Sequence, residues 1–322
     1  PKEELLEAID LEPGETMSKS GIQKAIEGLR GIYMDKGYAY AQIKPESVEE
    51  EENKVGLTFS ITQGKPVTID TIQIRGNTKT RDKVIRRELE IDEGGTFSSS
   101  AIRDSKDNLG RLGYFSSTNI DPVPRNDSTM SLLVDVEETT TGAFSFGFAY
   151  SSEDGPMATT SLSESNLLGR GYKAKGSIEY GPEKKNFTID AEDPWFLDYN
   201  ISLGARVFSL EKEYLYYTKK SRGGNLRMSY PLVERFRHSI IYSYDNVLSL
   251  TDIDPLYESS LSEEEINGGL TSSIINSIYR NTTNDYFRPT KGSDIGASIE
   301  YAGLGGDYHF TRATASAAQF FP

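Results

Sequence analysis

The stretch Gly142–Ser151 reads GAFSFGFAYS, with an aromatic residue at every second position from Phe144 to Tyr150. A period of two is typical of a β-strand whose two faces differ in polarity. Its length is close to the roughly 9–11 residues with which a tilted strand crosses a bilayer. The stretch therefore predicts a strand whose aromatic face meets either lipid or a protein core.

The same alternation continues to the end of the chain. We count about ten such segments, among them 172–180, 187–192, 201–207, 237–245 and 295–301. Their polar positions carry charges of both signs: Lys173, Lys175, Glu179, Asp190, Glu192, Arg206, Arg237 and Glu300. Helical periodicity after residue 142 is confined to 256–266. These segments predict antiparallel strands that follow one another in sequence order.

Period two alone does not distinguish a soluble β-sandwich from a membrane β-barrel. Three features favour the barrel: tyrosines gather at strand ends, compact turns alternate with longer polar connections, and the strands run in sequence order. The mixed charges then line a wet interior, where hydration of the cavity explains them more simply than ion selectivity does.

The N-terminal part contains a repeat. A helix predicted from Ser18 stops at Gly37-Tyr38, and a strand with Leu57, Phe59 and Ile61 follows an acidic run at 49–52. A new strand (68–75) and two helices (80–89 and 98–112) follow. The second of these helices ends at Gly113-Tyr114, as the first helix ended at Gly37-Tyr38, and a strand with Leu132, Val134 and Val136 comes after it. The offsets are 113 − 37 = 76 and 132 − 57 = 75 residues. This spacing predicts two copies of one strand-helix-helix-strand-strand module. The first copy lacks its opening strand, so we expect the natural chain to extend upstream.

Composition excludes several classes of protein. The formal charge is 35 − 49 = −14, which is too acidic for a general nucleic-acid binder. The absence of cysteine excludes disulfide scaffolds and thiolate metal sites. We find no catalytic or cofactor-binding motif. The two histidines, His238 and His309, are predicted to be strand surface residues, and the acidic loop around 252–265 matches no calcium-loop spacing. The sequence therefore predicts no enzyme, cofactor or metal.

Four turn motifs follow the repeated modules in a fixed order: NLLGRG at 166–171, DPWFLD at 193–198, YPL at 230–232 and DYFRPTKG at 285–292. Together with the modules, they resemble the Omp85 superfamily of outer-membrane proteins, over essentially the whole chain. The resemblance implies α+β POTRA modules (β-α-α-β-β) followed by an antiparallel transmembrane β-barrel. The expected domains are 1–66 (POTRA, without its first strand), 67–140 (complete POTRA) and 141–322 (the N-terminal part of the barrel).

The resemblance also implies a location and partners. The POTRA modules and the four turns would lie in the periplasm and the barrel in the bacterial outer membrane. The partners would be unfolded outer-membrane proteins, accessory lipoproteins of an assembly complex and the lipid bilayer. Barrels of this family have about sixteen strands. Because ten strands leave an edge open in lipid, we expect this chain to be part of a longer protein.

The predicted functional site is a strand edge, which offers unpaired backbone N–H and C=O groups to another strand. In this family a weak seam at the first barrel strand would admit client strands by β-augmentation. The seam residues are Gly142, Ala143, Phe144, Ser145, Phe146, Gly147, Phe148, Ala149 and Tyr150. A second edge is predicted in the POTRA strand at Ser117, Thr118, Asn119 and Ile120.

Three hypotheses follow. The first is an outer-membrane β-barrel assembly factor. The second is a secretion pore of the same superfamily (two-partner or TamA-like), which would pass clients through the lumen. The third, from another class, is a soluble β-sandwich binding protein.

Overall fold

The computed structural model describes residues 2–9, 11, 14, 16–50, 54–233, 235–284 and 288–321. It divides into two compact units, Pro1–Thr140 and Thr141–Pro322. No helix among the described residues is long and apolar enough to cross a membrane.

The first module of the N-terminal unit has two helices and a hairpin. Helices α1 (Lys2–Ile9) and α2 (Lys19–Asp35) precede the antiparallel strands β1 (Gln42–Glu50) and β2 (Lys54–Thr62). The Ser18 side chain caps α2 by accepting from the Gly21 N–H at 3.0 Å. Beyond the helix, Gly37 has φ +95°, which favours glycine. Helix α1 is the first of the two helices that the repeat predicts for each module, but its bounds were not predicted from the sequence.

The second module contains β3 (Thr68–Arg75), α3 (Asp82–Arg86), α4 (Ser99–Leu112), β4 (Phe115–Pro124) and β5 (Thr129–Glu138). The sheet order is β3-β5-β4, with β5 parallel to β3 and antiparallel to β4. The helices cover a core that includes Ile69, Ile85, Leu109, Leu132 and Val134, all fully buried. The β-α-α-β-β order predicted from the sequence is confirmed for this module.

Helix α3 is shorter than the predicted 80–89 segment. Side chains of α4 bind the chain just beyond it, because Asn108 donates to the Glu88 carbonyl at 3.2 Å and Ser105 accepts from the Glu90 N–H at 2.8 Å. These tertiary hydrogen bonds replace those of a longer helix. Helix α4 begins at Ser99, with the side chain of Ser98 as its N-cap.

The two modules are joined by a carboxylate. Asp35, at the end of α2, accepts from the Ser100 N–H at 2.7 Å and from the hydroxyls of Ser98 and Ser99 at 3.1 and 2.9 Å. Burial raises the pKa of Asp35, but the hydrogen bonds from these serines outweigh it and lower the pKa overall. The charge therefore lies where the first turn of α4 presents its free N–H groups.

The second unit is one antiparallel sheet of ten strands in sequence order. They are β6 (Gly142–Ser151), β7 (Gly155–Leu167), β8 (Tyr172–Tyr180), β9 (Lys184–Asp193), β10 (Ser202–Tyr214), β11 (Tyr217–Val233), β12 (Phe236–Val247), β13 (Gly269–Asn281), β14 (Gly292–Ala302) and β15 (Phe310–Phe320). Helices α5 (Pro255–Glu258) and α6 (Glu263–Asn267) lie in the connection between β12 and β13. The described residues of this unit form a single sheet, whereas the sandwich hypothesis requires two packed sheets.

The register separates the faces of the sheet. Phe146, Thr160, Ile178, Phe187 and Ser209 are successive partners on the face that we call the apolar face. The opposite face, the polar face, carries all eight charged residues named above, for example Lys175 opposite Asp190 and Asp190 opposite Arg206. The predicted alternation is therefore confirmed across the sheet.

Side chains and left-handed residues close the predicted turns. The Asn166 side chain accepts from the Gly171 N–H at 2.8 Å, and Leu168 has φ +57°. In the next turn Asp193 accepts from the Trp195 N–H at 3.0 Å. Residues 285–287 of the last motif, residue 234 in the turn after YPL, and residues 51–52 of the acidic run lie outside the described residues.

Candidate functional site

Strand β6 is an edge of the ten-stranded sheet. It pairs with β7 along one side, and no described strand pairs with its other side. Its aromatic side chains are unusually open: Phe144 and Tyr150 are 71% and 80% exposed, against 43% for Phe187 on the interior strand β9. The predicted seam residues 142–150 thus lie at one border of the sheet that the described strands form.

The pattern of hydrogen bonds between β6 and β7 shows which backbone groups of β6 face away from β7. The Ser165 N–H donates to the Thr141 carbonyl at 3.2 Å. Because residues of an antiparallel strand alternate between facing the partner and facing away, the odd-numbered residues of β6 face β7. Phe144, Phe146 and Phe148 therefore direct their N–H and C=O groups to the open side. Which alternate residues of β6 face the open side was not predicted from the sequence.

The edge has little side-chain interlock with its neighbour. A Cβ added at Gly147 would meet the Thr159 hydroxyl at 3.6 Å, an ordinary contact, so sterics do not require glycine there. Ser145 is opposite Ser161, and Ala149 is opposite Met157. On this polar face the small side chains contribute little cross-strand packing, so the pairing of β6 there depends mainly on the backbone.

The second predicted edge, 117–120, lies in β4 at the border of the three-stranded sheet. The Arg125 N–H donates to the Thr129 carbonyl at 3.0 Å, which places the backbone groups of Thr118 and Ile120 on the side away from β5. Pro122 and Pro124 share that phase and have no N–H to offer. The part of the edge that can pair with another strand is therefore the stretch before Pro122. The spacing of these prolines in the sequence already indicated which alternate residues of β4 face away from β5.

The opposite border of that sheet is less accessible. The Ile69 N–H donates to the Gly95 carbonyl at 2.9 Å, and the Phe97 N–H donates to the Val67 carbonyl at the same distance. The segment around 94–97 thus covers the start of β3. Of the two borders, β4 offers more free backbone.

The polar face carries an ion-pair network that extends across β8, β9, β10 and β11. Glu192 lies 3.6 Å from Lys173 Nζ and 3.2 Å from Arg227 Nη2, and Arg206 pairs with Asp190. Each acid thus has a cation on a neighbouring strand, so charges of opposite sign compensate each other. The network suits a hydrated interior.

The histidines do not form a site. His238 Nδ1 lies 2.9 Å from the Tyr230 hydroxyl on the apolar face. His309 lies in the connection before β15, so its prediction as a strand residue was wrong: the chain turns between Gly303 and His309. Among the described residues, no group of three His, Asp or Glu side chains is placed to hold a metal ion.

Family models match along most of the chain. The model described as "Surface antigen variable number repeat" (POTRA) matches residues 1–64 and 67–139, and that of the "Omp85 superfamily domain" matches 166–322. The chain belongs to the Omp85 superfamily.

Curated relatives within the Omp85 superfamily carry the name outer membrane protein assembly factor BamA. The protein of Nitratidesulfovibrio vulgaris is 30% identical over 88% of this chain and 36% of its own length. That of Neorickettsia risticii is 26% identical over 98% of this chain and 43% of its own length. The chain thus spans less than half the length of these relatives.

Solved structures share the fold. BamA from Haemophilus ducreyi lacking POTRA domains 1–3 superposes with a TM-score of 0.74, at 21% identity, over 98% of this chain and 64% of that one. CdiB from Acinetobacter baumannii superposes with a TM-score of 0.53, at 13% identity, over 97% and 60%. The predicted fold, POTRA modules before an antiparallel barrel sheet, is confirmed.

Proposed function

We propose that this Omp85 protein assembles β-barrel proteins in the outer membrane. Its POTRA modules lie in the periplasm and capture unfolded clients, and the barrel inserts them into the membrane. It does this without enzymatic chemistry or a cofactor. The names of the curated relatives support this role, as does a site that consists of strand edges.

The position of β6 at a border of the sheet, where the full-length barrel would close, is the observation that supports the mechanism. An incoming client strand gains backbone hydrogen bonds at Phe144, Phe146 and Phe148 whatever its sequence, because these groups belong to the main chain. Its apolar side chains would then continue the apolar face of the sheet. Weak closure against the last strand of the full-length barrel makes the edge available.

The POTRA edge acts earlier in the same scheme. Thr118 and Ile120 offer backbone groups to an extended client segment, and Pro122 limits how far that segment can pair. Accessory outer-membrane lipoproteins would dock on the same periplasmic modules. Strand capture at β4 would hand clients to the seam as unfolded chains.

A secretion pore is the second candidate, and the shared fold with CdiB supports keeping it. In that function a client passes through the lumen along the polar face. The two routes differ in which residues of the polar face the client meets.

Photo-crosslinking separates the two routes. A photoreactive residue replaces Ser145 or, as a matched control, Ser177, which faces the same side but pairs with Ser161 and Thr188 on both flanks. In the full-length protein, assembly through the seam gives client adducts at position 145 and few at 177. Equal labelling at both positions would favour passage through the lumen and contradict the proposal.

A further inference from the structure

The apolar face contains a groove far from the β6 edge. It has a volume of about 540 Å³ and lies across β10, β11 and β12. Val207 and Leu226 line one part of the groove, and Tyr242 and Tyr244 line another. Gly224 lies between them. All these side-chain positions belong to the apolar face, so the groove opens where the sheet would meet lipid.

The groove exists because a side chain is missing at Gly224. A Cβ there would lie 2.6 Å from the Arg206 carbonyl oxygen, a distance that the backbone does not permit. Glycine is therefore required by the close approach of β10, and it leaves a gap between Val207 and Tyr244, its two partners in the register. The gap is lined by aliphatic and aromatic surface, which suits a hydrocarbon chain.

A cation stands at one end of the groove. Arg222 lies on the same face, two residues from Gly224 toward the β10–β11 hairpin, between Ser209 and Asn246. It is exposed, and in the part of the chain that the structure describes it takes part in no ion pair. Lys220, the next residue outward on this face, is instead paired with Glu211 at 3.4 Å. An apolar groove ending at an available guanidinium matches an acyl chain joined to a phosphate.

We propose that this groove binds one phosphate-bearing membrane lipid, with an acyl chain along Gly224 and the phosphate at Arg222. The assignment rests on the proposed membrane topology, which places the β10–β11 hairpin on the outward side. The ligand is then a lipid of the outward-facing leaflet. Such a site would hold lipid on the side of the barrel away from the seam.

Native mass spectrometry of the full-length protein in detergent tests the site with two probes of equal acyl composition, phosphatidylglycerol and the uncharged diacylglycerol. We expect one saturable site that prefers phosphatidylglycerol. Arg222→Gln should weaken phosphatidylglycerol binding by about tenfold, the scale of a lost charge-assisted contact, and leave diacylglycerol binding unchanged. Lys219→Gln makes the same charge change on the polar face and should alter neither.

Filling the groove tests the acyl contact separately. Ala205→Phe, beside Leu226, should weaken both lipids, whereas Ala297→Phe on the apolar face of β14 should weaken neither. Heat-modifiable gel migration confirms that each variant is folded. Unsaturable binding of both lipids, no effect of Arg222→Gln or Ala205→Phe, or equal occupation by inorganic phosphate alone would overturn the lipid site. Client crosslinking at position 145 does not involve this groove, so the lipid experiments and the crosslinking experiment test the lipid site and the proposed function independently.

Discussion

Arg227 reaches Glu192 across Gly204. Gly204 is the register partner of both residues, so the ion pair joins β11 to β9 over the intervening strand β10. The Nη2–Oε2 distance is 3.2 Å, and a Cβ on Gly204 would lie 3.1 Å from the same Nη2 atom. The glycine thus provides the path by which the two charges meet.

Gly204→Ala should displace the Arg227 side chain and weaken this pair. Because both partners are partly exposed, we expect a loss of roughly 0.2–1 kcal/mol, seen as faster loss of the folded gel band on heating. Gly176→Ala on β8 is the control, since an added Cβ there meets no atom within 4 Å. Equal behaviour of the two variants would show that the path over Gly204 does not matter.

Glu138 gives the second POTRA module a dependence on pH. Its carboxylate accepts from the Thr80 N–H at 2.6 Å, from the Thr78 hydroxyl at 2.7 Å and from the Lys79 N–H at 2.9 Å. Partial burial raises the pKa of Glu138, but the hydrogen bonds from Thr78, Thr80 and Lys79 outweigh it and lower the pKa to about 2. The carboxylate therefore stabilises the turn in its charged form.

Because the folded pKa lies below the ordinary 4.5, this stabilisation is complete above about pH 4.5 and is lost as the pH falls toward 2. Glu138→Gln should lower the free energy of unfolding by about 2 kcal/mol at neutral pH, and the difference from wild type should vanish near pH 2. Urea unfolding followed by tyrosine fluorescence measures it. The neighbouring exposed Glu137→Gln should behave as wild type; a constant deficit for Glu138→Gln across the pH range would contradict the account.

The contact of Asp35 with Ser98, Ser99 and Ser100 should fix the angle between the POTRA modules. Asp35→Ala removes all three hydrogen bonds, so we expect a wider distribution of inter-module distances and a loss of about 1–2 kcal/mol. Spin labels on α2 and α4, measured by pulsed electron resonance, report this distribution. Asp107→Ala, on an exposed part of α4, is the control. An unchanged distribution for Asp35→Ala would assign the angle to apolar packing instead.

At the POTRA edge, the test is the removal of one N–H group. Thr118→Pro takes away a donor that faces away from β5 and keeps the ladder bonds to β5, so capture of an unfolded client peptide should fall several-fold with little change in stability. Thr118→Val keeps the N–H and should bind as wild type. Fluorescence anisotropy with a labelled client strand measures the affinity. Full binding by the proline variant would exclude this edge.

The sequence predicts the sheet well because period two is a local signal, repeated from Phe144 to Tyr301. The turns are predictable for the same reason, since Asn166 and Gly171 act within one short segment. Contacts between residues far apart in the sequence cannot be predicted from a local pattern. Asp35 meets Ser100 only after two modules have folded, and α3 stops early because Ser105 and Asn108 bind the chain beyond it.

The candidate site shows the same division. The aromatic alternation in 142–150 marks a strand, but the side of that strand that stays free depends on its pairing with β7. Gly224 and Arg222 carry no motif at all, because their groove arises from the close approach of β10 and the register with β12. Of these features, only the free side of β4 was indicated by the sequence, through its two prolines.

Locking the seam tests the central claim most directly. A cysteine at Ser145 is paired with one on the last strand of the full-length barrel, and these 322 residues contain no other cysteine to compete. Oxidation should then stop client insertion and cell growth, and reduction should restore both, while either cysteine alone has no effect. Continued insertion with the seam covalently closed would contradict the account.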